Sequence, residues 1–161
     1  MAVCKALWRE GAATFDGRFH LFERAHTGPK PVQDLHPPVH IAGNSPAALK
    51  RLAAHGDVWH PFKITPAQIE KSNPLLAEAL AAVGRPGESL PIAPKLLLRF
   101  QGGPPADGQA ATKGRPQDII DALRRHQDAG ATELCFDLDP ETEAGALDTL
   151  ERFVQEVRPE L

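Results

Sequence analysis

The sequence predicts an α/β fold built from parallel strand–helix repeats, and three observations lead to this class. After residue 38, four short apolar runs alternate with four segments whose apolar side chains recur at helical spacing. Glycine and proline residues stand at the junctions between the runs and the helical segments. Strands and helices in this order form right-handed crossovers and a parallel sheet. Four such units amount to half of a (β/α)8 barrel, which typically needs about 250 residues.

The composition is that of a globular chain and excludes several classes of protein. The 161 residues, 42% hydrophobic and 24% charged, suffice for one domain with a buried core. A net charge of -3 lacks the basic excess that nucleic-acid-binding proteins use against phosphates. We expect no membrane partner, because no apolar stretch approaches the roughly 18 residues of a membrane span. The first ten residues are too charged for a signal peptide.

The two cysteines, Cys4 and Cys135, lie far apart in the sequence and predict no disulfide framework. A reducing, cytoplasmic location follows as the simplest expectation. Neither cysteine has a histidine beside it in the sequence that would activate a thiolate, so we expect two buried thiols. The histidines of residues 20–40 match no recognised metal spacing, and we expect no metal site.

The first 38 residues differ from the repeats that follow them. Residues 1–10 resemble the last turns of a helix that stops at Gly11. Asp16-Gly17 between two apolar runs predicts a β-hairpin with a tight turn. Residues 27–38 contain four prolines and predict an irregular linker. We therefore expect one partial barrel domain over residues 1–161, with four βα units in residues 39–161.

The boundaries of these four units follow from apolar runs, caps and breakers. The predicted strands cover residues 39–42, 57–60, 92–100 and 133–137, and the predicted helices cover residues 46–55, 65–83, 116–129 and 141–157. Pro74 lies inside the second helix and should kink it or split it. The glycine- and proline-rich residues 101–114 predict a mobile loop.

The sharpest signal for a binding site is the turn between the first of these strands and its helix. Gly43, Asn44 and Ser45 join the strand to a helix that begins at Pro46. The backbone N–H groups of such a turn, together with the helix dipole, favour an anion, and phosphate is the natural guest. An ordinary βα loop with Ser45 as the N-cap explains the same residues, and spacing alone leaves both interpretations open.

A second candidate lies at the C-terminal end of the next strand, where parallel α/β proteins bind their ligands. Trp59 either lines a pocket beside the anion site or belongs to the core. His60 either hydrogen-bonds a phosphate or a ring, or is an ordinary loop residue, and it is our only candidate for a catalytic acid or base. Asp137 and Asp139, after the fourth strand, form either an acid pair or two solvated caps.

Four motifs in order resemble one family of enzymes. They are Phe15-Asp-Gly-Arg-Phe-His-Leu-Phe22, Gly28-Pro-Lys-Pro-Val-Gln33, the run from Pro37 to Ala53, and Gly56-Asp-Val-Trp-His-Pro61. With this spacing the chain resembles the luciferase-like monooxygenase family, and within it the subgroup that uses the deazaflavin coenzyme F420 rather than FMN. The resemblance is sharp over residues 1–62 and fainter to residue 161.

The resemblance implies a TIM (β/α)8 barrel with the cofactor at its C-terminal mouth, of which this chain supplies the C-terminal half. Gly43, Asn44 and Ser45 match the family's phosphate-binding turn, and the strand end beside that phosphate matches Trp59, His60 and Pro61. The implied cofactor is F420, with FMN as the alternative. The implied activity is a hydride transfer or a monooxygenation of a small-molecule substrate.

The first half of the family's barrel lies outside this sequence, and with it the residues usually assigned to proton transfer. We therefore expect a homodimer, or a partner chain that supplies the other half, or else a truncated enzyme. The alternative function is a non-catalytic half-barrel module that binds a flavin or a phosphate and acts through oligomerisation. A phosphate-binding half barrel unrelated to flavins fits the motifs less well.

Overall fold

The computed structural model describes residues 1–101, 112–138 and 142–161. These residues separate into two compact units, Met1–Val39 and His40–Leu161. Within the described ranges, no helix is both long enough and apolar enough to cross a membrane.

The first unit contains one helix and one hairpin, as the sequence predicts. Helix α1 (Ala2–Arg9) is followed by strands β1 (Ala13–Asp16) and β2 (Leu21–Ala25), which pair antiparallel. Across the hairpin the rings of Phe15 and Phe22 stack with their centroids 5.9 Å apart. These rings form the small apolar contact that a two-stranded ribbon needs to hold its register.

The second unit carries the predicted succession of strands and helices. Its elements are β3 (His40–Ala42), α2 (Pro46–His55), β4 (Val58–His60), α3 (Pro66–Ala82), β5 (Lys95–Arg99), β6 (Thr112–Lys113), α4 (Pro116–Asp128), β7 (Cys135–Leu138) and α5 (Glu143–Arg152). A single π-helical turn, Phe153–Val157, extends α5. Helices α2 and α3 begin at the predicted caps, Ser45 and Thr65.

Three expectations about these elements need correction. Helix α3 continues through Pro74 without interruption, so of the two expected outcomes, a kink or a split, the split is excluded. Strand β5 begins at Lys95 rather than at residue 92, because the preceding residues make only an isolated bridge to β4. The predicted loop of residues 101–114 contains strand β6, which pairs with β5. Residues 102–111 of that loop lie outside the described residues.

All the strand pairs of the second unit are parallel. Strand β3 pairs with β4, β5 pairs with β7, and β6 pairs with the other side of β5. Backbone hydrogen bonds from Trp59 N–H to Pro91 O (2.9 Å) and from Ala93 N–H to Trp59 O (2.8 Å) join the two groups of strands. The spatial order is therefore β3–β4–β5–β7, and these described strands form a half barrel that does not close.

The helices cover one side of this sheet. Two clusters of buried side chains fill that side: Leu49, Leu52, Trp59, Ile64, Ile69 and Leu80 around α2 and α3, and Leu96, Leu98, Ile119, Leu123 and Val157 around α4 and α5. Because side chains alternate along a strand, the residues between them point to the opposite side. We call this side the inner face, and it comprises His40, Ala42, Val58, His60, Phe62, Lys95, Leu97, Cys135 and Asp137.

The inner face explains why the expectation of two buried thiols is wrong. Cys135 is exposed because it lies on the inner face, opposite the side of β7 that packs against α4 and α5, and Cys4 is half-buried. Both cysteines are free thiols.

Candidate functional site

The turn between β3 and α2 has a backbone that glycine makes possible. Gly43 has φ +112°, a conformation that residues with a side chain rarely adopt. A Cβ at Gly43 would lie 3.0 Å from the Cβ of Ala48 in the first turn of α2. The absence of a side chain therefore lets the chain pass close to the helix and enter it sharply.

Ser45 caps helix α2 as the sequence predicts. Its hydroxyl oxygen accepts the N–H of Ala48 (3.3 Å), and its carbonyl oxygen accepts the N–H of Leu49 (3.1 Å). Pro46 occupies the first helical position. The first turn contains no acidic residue, and residues 44–47 are exposed. The positive end of the α2 dipole thus opens to solvent without a carboxylate of its own.

Trp59 belongs to the core and is hydrogen-bonded to the turn through its side chain. Its side chain is 0% exposed among the residues of α2 and α3. The indole Nε1–H donates a 2.9 Å hydrogen bond to the carbonyl oxygen of Gly43. The alternative in which Trp59 lines a pocket does not agree with this placement, because alternation along β4 points Trp59 to the helices. Trp59 is therefore a positioning residue for the turn.

Asn44 joins the turn to the segment that follows β4. Its side-chain Nδ2 donates to the carbonyl oxygen of Phe62 (2.8 Å), and its Oδ1 accepts the N–H of Phe62 (3.2 Å). One side-chain amide thereby continues the ladder between β3 and β4 beyond the end of β3. Neither this role of Asn44 nor the contact with Phe62 is evident from the sequence. The sequence offered one indication of this contact: Asn44 follows β3 and Phe62 follows β4, and parallel neighbouring strands end at the same edge of a sheet.

His60 ends strand β4 on the inner face, directly beside Ala42 in the strand register. Its ring lies 5.8 Å from the ring of His40, centroid to centroid, in an edge-on arrangement. The Nδ1 atom of His60 is buried and has no hydrogen-bond partner within the described ranges. A buried polar atom without a partner costs about 1–3 kcal/mol, so this nitrogen is suited to a ligand group or a water molecule.

The remaining candidates have structural partners. Pro61 is buried, and its carbonyl oxygen accepts the N–H of Lys95 (2.8 Å). The carboxylate of Asp137 lies 3.3 Å from the ammonium of Lys95 on the inner face. Asp139 lies outside the described residues, so the acid pair is not tested. Among the described residues, no group of three or more His, Cys, Asp or Glu side chains gathers in a way that would hold a metal ion.

Three features of the described site fit a cofactor that carries a phosphate. The glycine turn leaves the space that a Cβ would fill, the end of α2 has no acidic residue, and His60 Nδ1 lacks a partner among the described residues. The turn and His60 lie together because β3 and β4 end at the same edge of the sheet. This edge is the one at which parallel α/β proteins bind ligands.

Comparison with known proteins identifies the relatives of this chain. A sequence model of the luciferase-like monooxygenase family matches residues 1–100. No match was found among curated proteins.

Several solved structures share the fold at low sequence identity. The coenzyme F420 dependent tetrahydromethanopterin reductase from Methanopyrus kandleri has a TM-score of 0.77 at 15% identity, over 98% of this chain and 61% of that chain. An F420-dependent secondary alcohol dehydrogenase in complex with an F420-acetone adduct has a TM-score of 0.76 at 14% identity, over 99% of this chain and 59% of that chain. The riboflavin lyase RcaE, with modified FMN and riboflavin, has a TM-score of 0.68 at 12% identity, over 92% of this chain and 47% of that chain. The chain thus spans about three fifths of the length of the first two structures.

Proposed function

The chain belongs to the luciferase-like monooxygenase family. From this premise we propose that it is a flavin- or deazaflavin-dependent oxidoreductase, or part of one. The turn Gly43-Asn44-Ser45 binds the phosphate of the cofactor. The observation that carries the proposal is the glycine turn before α2, whose helix end is exposed and has no acidic residue in its first turn. The bound cofactor supplies hydride transfer or monooxygenation chemistry through its ring.

The residues of this chain divide the remaining work. The backbone of the turn and the end of α2 hold the phosphate. Trp59 and Asn44 fix the turn from two sides, through Gly43 O and through the backbone of Phe62. His60, with a buried Nδ1 that has no partner among the described residues, holds or moves a proton beside the substrate.

F420 is the cofactor that we propose first, and FMN is the alternative. Two of the similar structures have F420 in their names, and the riboflavin lyase contains modified FMN. We also propose a cytoplasmic location, which agrees with the two free thiols, Cys4 and Cys135.

The test is a set of equilibrium titrations with F420, FMN and riboflavin, followed by absorbance and fluorescence of the cofactor. FMN differs from riboflavin by one phosphate, so the ratio of their affinities isolates the contribution of the turn. We expect FMN to bind about tenfold more tightly than riboflavin, as a helix end that holds an anion predicts. Equal affinities for FMN and riboflavin would remove the phosphate site from the proposal.

A non-catalytic binding module is the second candidate function. The observation that favours it is the parallel sheet, which the described strands leave unclosed. An assay of cofactor reduction separates the two functions. Binding of FMN or F420 without reduction by any donor tested supports the module.

We further propose that a second copy of this chain completes the site. Strands β3 and β7 each have one edge with no partner strand in the described part of the chain. Unpaired parallel edges favour association. Two copies related by a two-fold axis would bring each β7 beside the β3 of the other copy. Size-exclusion chromatography with light scattering should show a dimer. A monodisperse monomer at micromolar concentration would contradict self-association and leave a different partner chain as the source of the other half.

A further inference from the structure

Phe62 is an aromatic side chain on the inner face that core packing does not explain. It follows β4 directly and is 43% exposed. Two ammonium groups lie near its ring: Lys63 Nζ is 5.1 Å and Lys95 Nζ is 5.5 Å from the ring centroid. Both distances lie within the range of cation–π attraction. We call Phe62, Lys63 and Lys95 the lysine–phenylalanine cluster.

The backbone that carries this cluster is fixed on both sides. On one side, the side chain of Asn44 bonds the N–H and the carbonyl oxygen of Phe62. On the other side, Lys95 N–H donates to Pro61 O (2.8 Å), and Lys63 N–H donates to Lys95 O (3.1 Å). Four hydrogen bonds therefore hold three consecutive residues, and a ligand would meet a site whose backbone is already ordered.

Lys63 adds an observation that core packing does not explain. Its φ of +47° lies in the left-handed region, which is uncommon for a residue with a long side chain. Such a conformation is unfavourable for a residue with a side chain, and it concentrates at ligand-binding segments. The residue with this conformation, Lys63, is also the one whose ammonium lies at the exposed ring of Phe62.

Asp137 orients one of the two ammonium groups. Its Oδ2 lies 3.3 Å from Lys95 Nζ across the β5–β7 pair. The three charged groups Lys63, Lys95 and Asp137 carry a net charge of one positive unit. An exposed aromatic ring with a net positive surround suits a ligand that combines an apolar part with one negative charge.

We propose that the lysine–phenylalanine cluster is the substrate subsite and that it takes a small organic carboxylate with an apolar or aromatic body. The ring of Phe62 contacts the body, and Lys63 and Lys95 bind the carboxylate oxygens. His60 lies two residues before Phe62 on the same face, which places the carboxylate-binding cluster beside the proposed proton-holding nitrogen. The assignment as a substrate subsite rests on the proposed function.

The first part of the test measures the ligand preference of the wild-type protein. The probes are benzoate, benzyl alcohol and acetate, followed by ligand-detected NMR on the full chain. Benzoate has both the ring and the charge, whereas each of the other two has one of them. We expect benzoate to bind about fivefold more tightly than either control, since one exposed charged contact contributes this much. Equal binding of benzoate and benzyl alcohol would overturn the proposal.

The second part assigns the binding to named side chains. Lys95→Met and Phe62→Leu should each weaken benzoate binding about fivefold, and Lys95→Arg should retain it. Lys71→Met, on the exposed side of α3, is the matched control and should change nothing. Benzoate binding that is unchanged in Lys63→Met/Lys95→Met would sink the assignment.

FMN titrations of the same variants keep this inference separate from the proposed function. Benzoate binding that depends on the cluster, together with equal affinities for FMN and riboflavin, would leave the carboxylate site standing and remove the cofactor. Tighter binding of FMN than of riboflavin, without benzoate binding, would support the cofactor site and overturn the carboxylate site.

Discussion

Two turns of this molecule lead from a parallel strand into a helix with nearly the same design. Gly43 precedes α2 with φ +112°, and Gly114 precedes α4 with φ +121°. Both helices have proline at their first position. In both turns a Cβ on the glycine would lie 3.0 Å or less from the third helical residue, which is Ala48 in α2 and Asp118 in α4.

The difference between the two turns is the carboxylate of Asp118. It accepts the backbone N–H of Arg115 (2.9 Å) and a guanidinium contact from the same residue (3.2 Å). These hydrogen bonds hold the pKa of the Asp118 carboxyl below its ordinary value. Helix α4 thus has an anion of its own at its positive end, whereas α2 has alanine. The comparison teaches that the same backbone design carries its own anion in α4 and lacks one in α2, where we propose that the cofactor phosphate binds.

The largest expected effect comes from removing the glycine of the α2 turn. Gly43→Val places a branched side chain at a positive φ and against Ala48, so we expect the ratio of FMN to riboflavin affinity to fall to about one. The titrations described above measure it. Gly114→Val strains the other turn in the same way and should leave the ratio unchanged. Circular dichroism checks that the variants fold. If Gly43→Val does not fold, Gly43→Ala is used in its place. A folded variant with wild-type FMN affinity would refute the site.

A carboxylate at the start of α2 should make the two turns alike. Ala47 is exposed in the first turn of α2, one position before the residue that corresponds to Asp118, and Ala47→Asp puts a negative charge in that turn. We expect FMN binding to weaken about tenfold, with riboflavin binding unchanged, because the new charge repels the phosphate. Ala47→Asn is the matched neutral control. Similar losses in the Asp and Asn variants would show that charge is not the cause.

Removal of the hydrogen bond from Trp59 to Gly43 should have an intermediate effect on FMN affinity and a clear effect on the free energy of unfolding. Trp59→Phe keeps an aromatic ring but leaves the Gly43 carbonyl without its donor, at a cost of about 1–2 kcal/mol in the free energy of unfolding. We expect FMN affinity to fall about threefold, since the turn is held less firmly. Urea unfolding and FMN titration measure both effects, and Trp8→Phe in the first unit is the control. Wild-type stability would mean that the indole N–H does not support the turn.

The smallest effect is expected at Asp118, and its sign follows from its lowered pKa. A carboxyl whose pKa is lower in the folded state stabilises the fold above its unfolded pKa of about 4, and the stabilisation is lost as the pH falls through the folded pKa. Asp118→Asn should therefore be slightly less stable than wild type at neutral pH, and the difference should shrink in acid. Thermal unfolding as a function of pH measures this. A difference that grows in acid would contradict the assignment.

The sequence predicted the helices and the caps well because these depend on local chemistry. Ser45 and Thr65 accept hydrogen bonds from the third residue of their helices, which a sequence pattern of cap and proline already indicates. The glycine turn before α2 was found for the same reason: its conformation depends on Gly43 and the residues beside it.

Features that depend on strand register escaped the sequence. Strand β6 has two residues, Thr112–Lys113, too few for any alternation to be visible. Strand β4 has three, so the sequence left open whether Trp59 or His60 points to the helices. Contacts between Asn44 and Phe62 and between Lys95 and Asp137 arise only when neighbouring strands are aligned. The sequence therefore indicated the conformation of the turn but not the contacts across the sheet.

The amide of Asn44 has a consequence for the dynamics of the segment after β4. The N–H of Phe62 belongs to an exposed residue outside β4, yet it donates to Asn44 Oδ1 at 3.2 Å. The Asn44 side chain therefore controls the exchange of this proton with deuterated solvent. A substitution that removes the side-chain amide of Asn44 should speed this exchange while the backbone hydrogen bonds between β3 and β4 stay intact. The rate at which Phe62 exchanges thereby reads out how often the α2 turn opens.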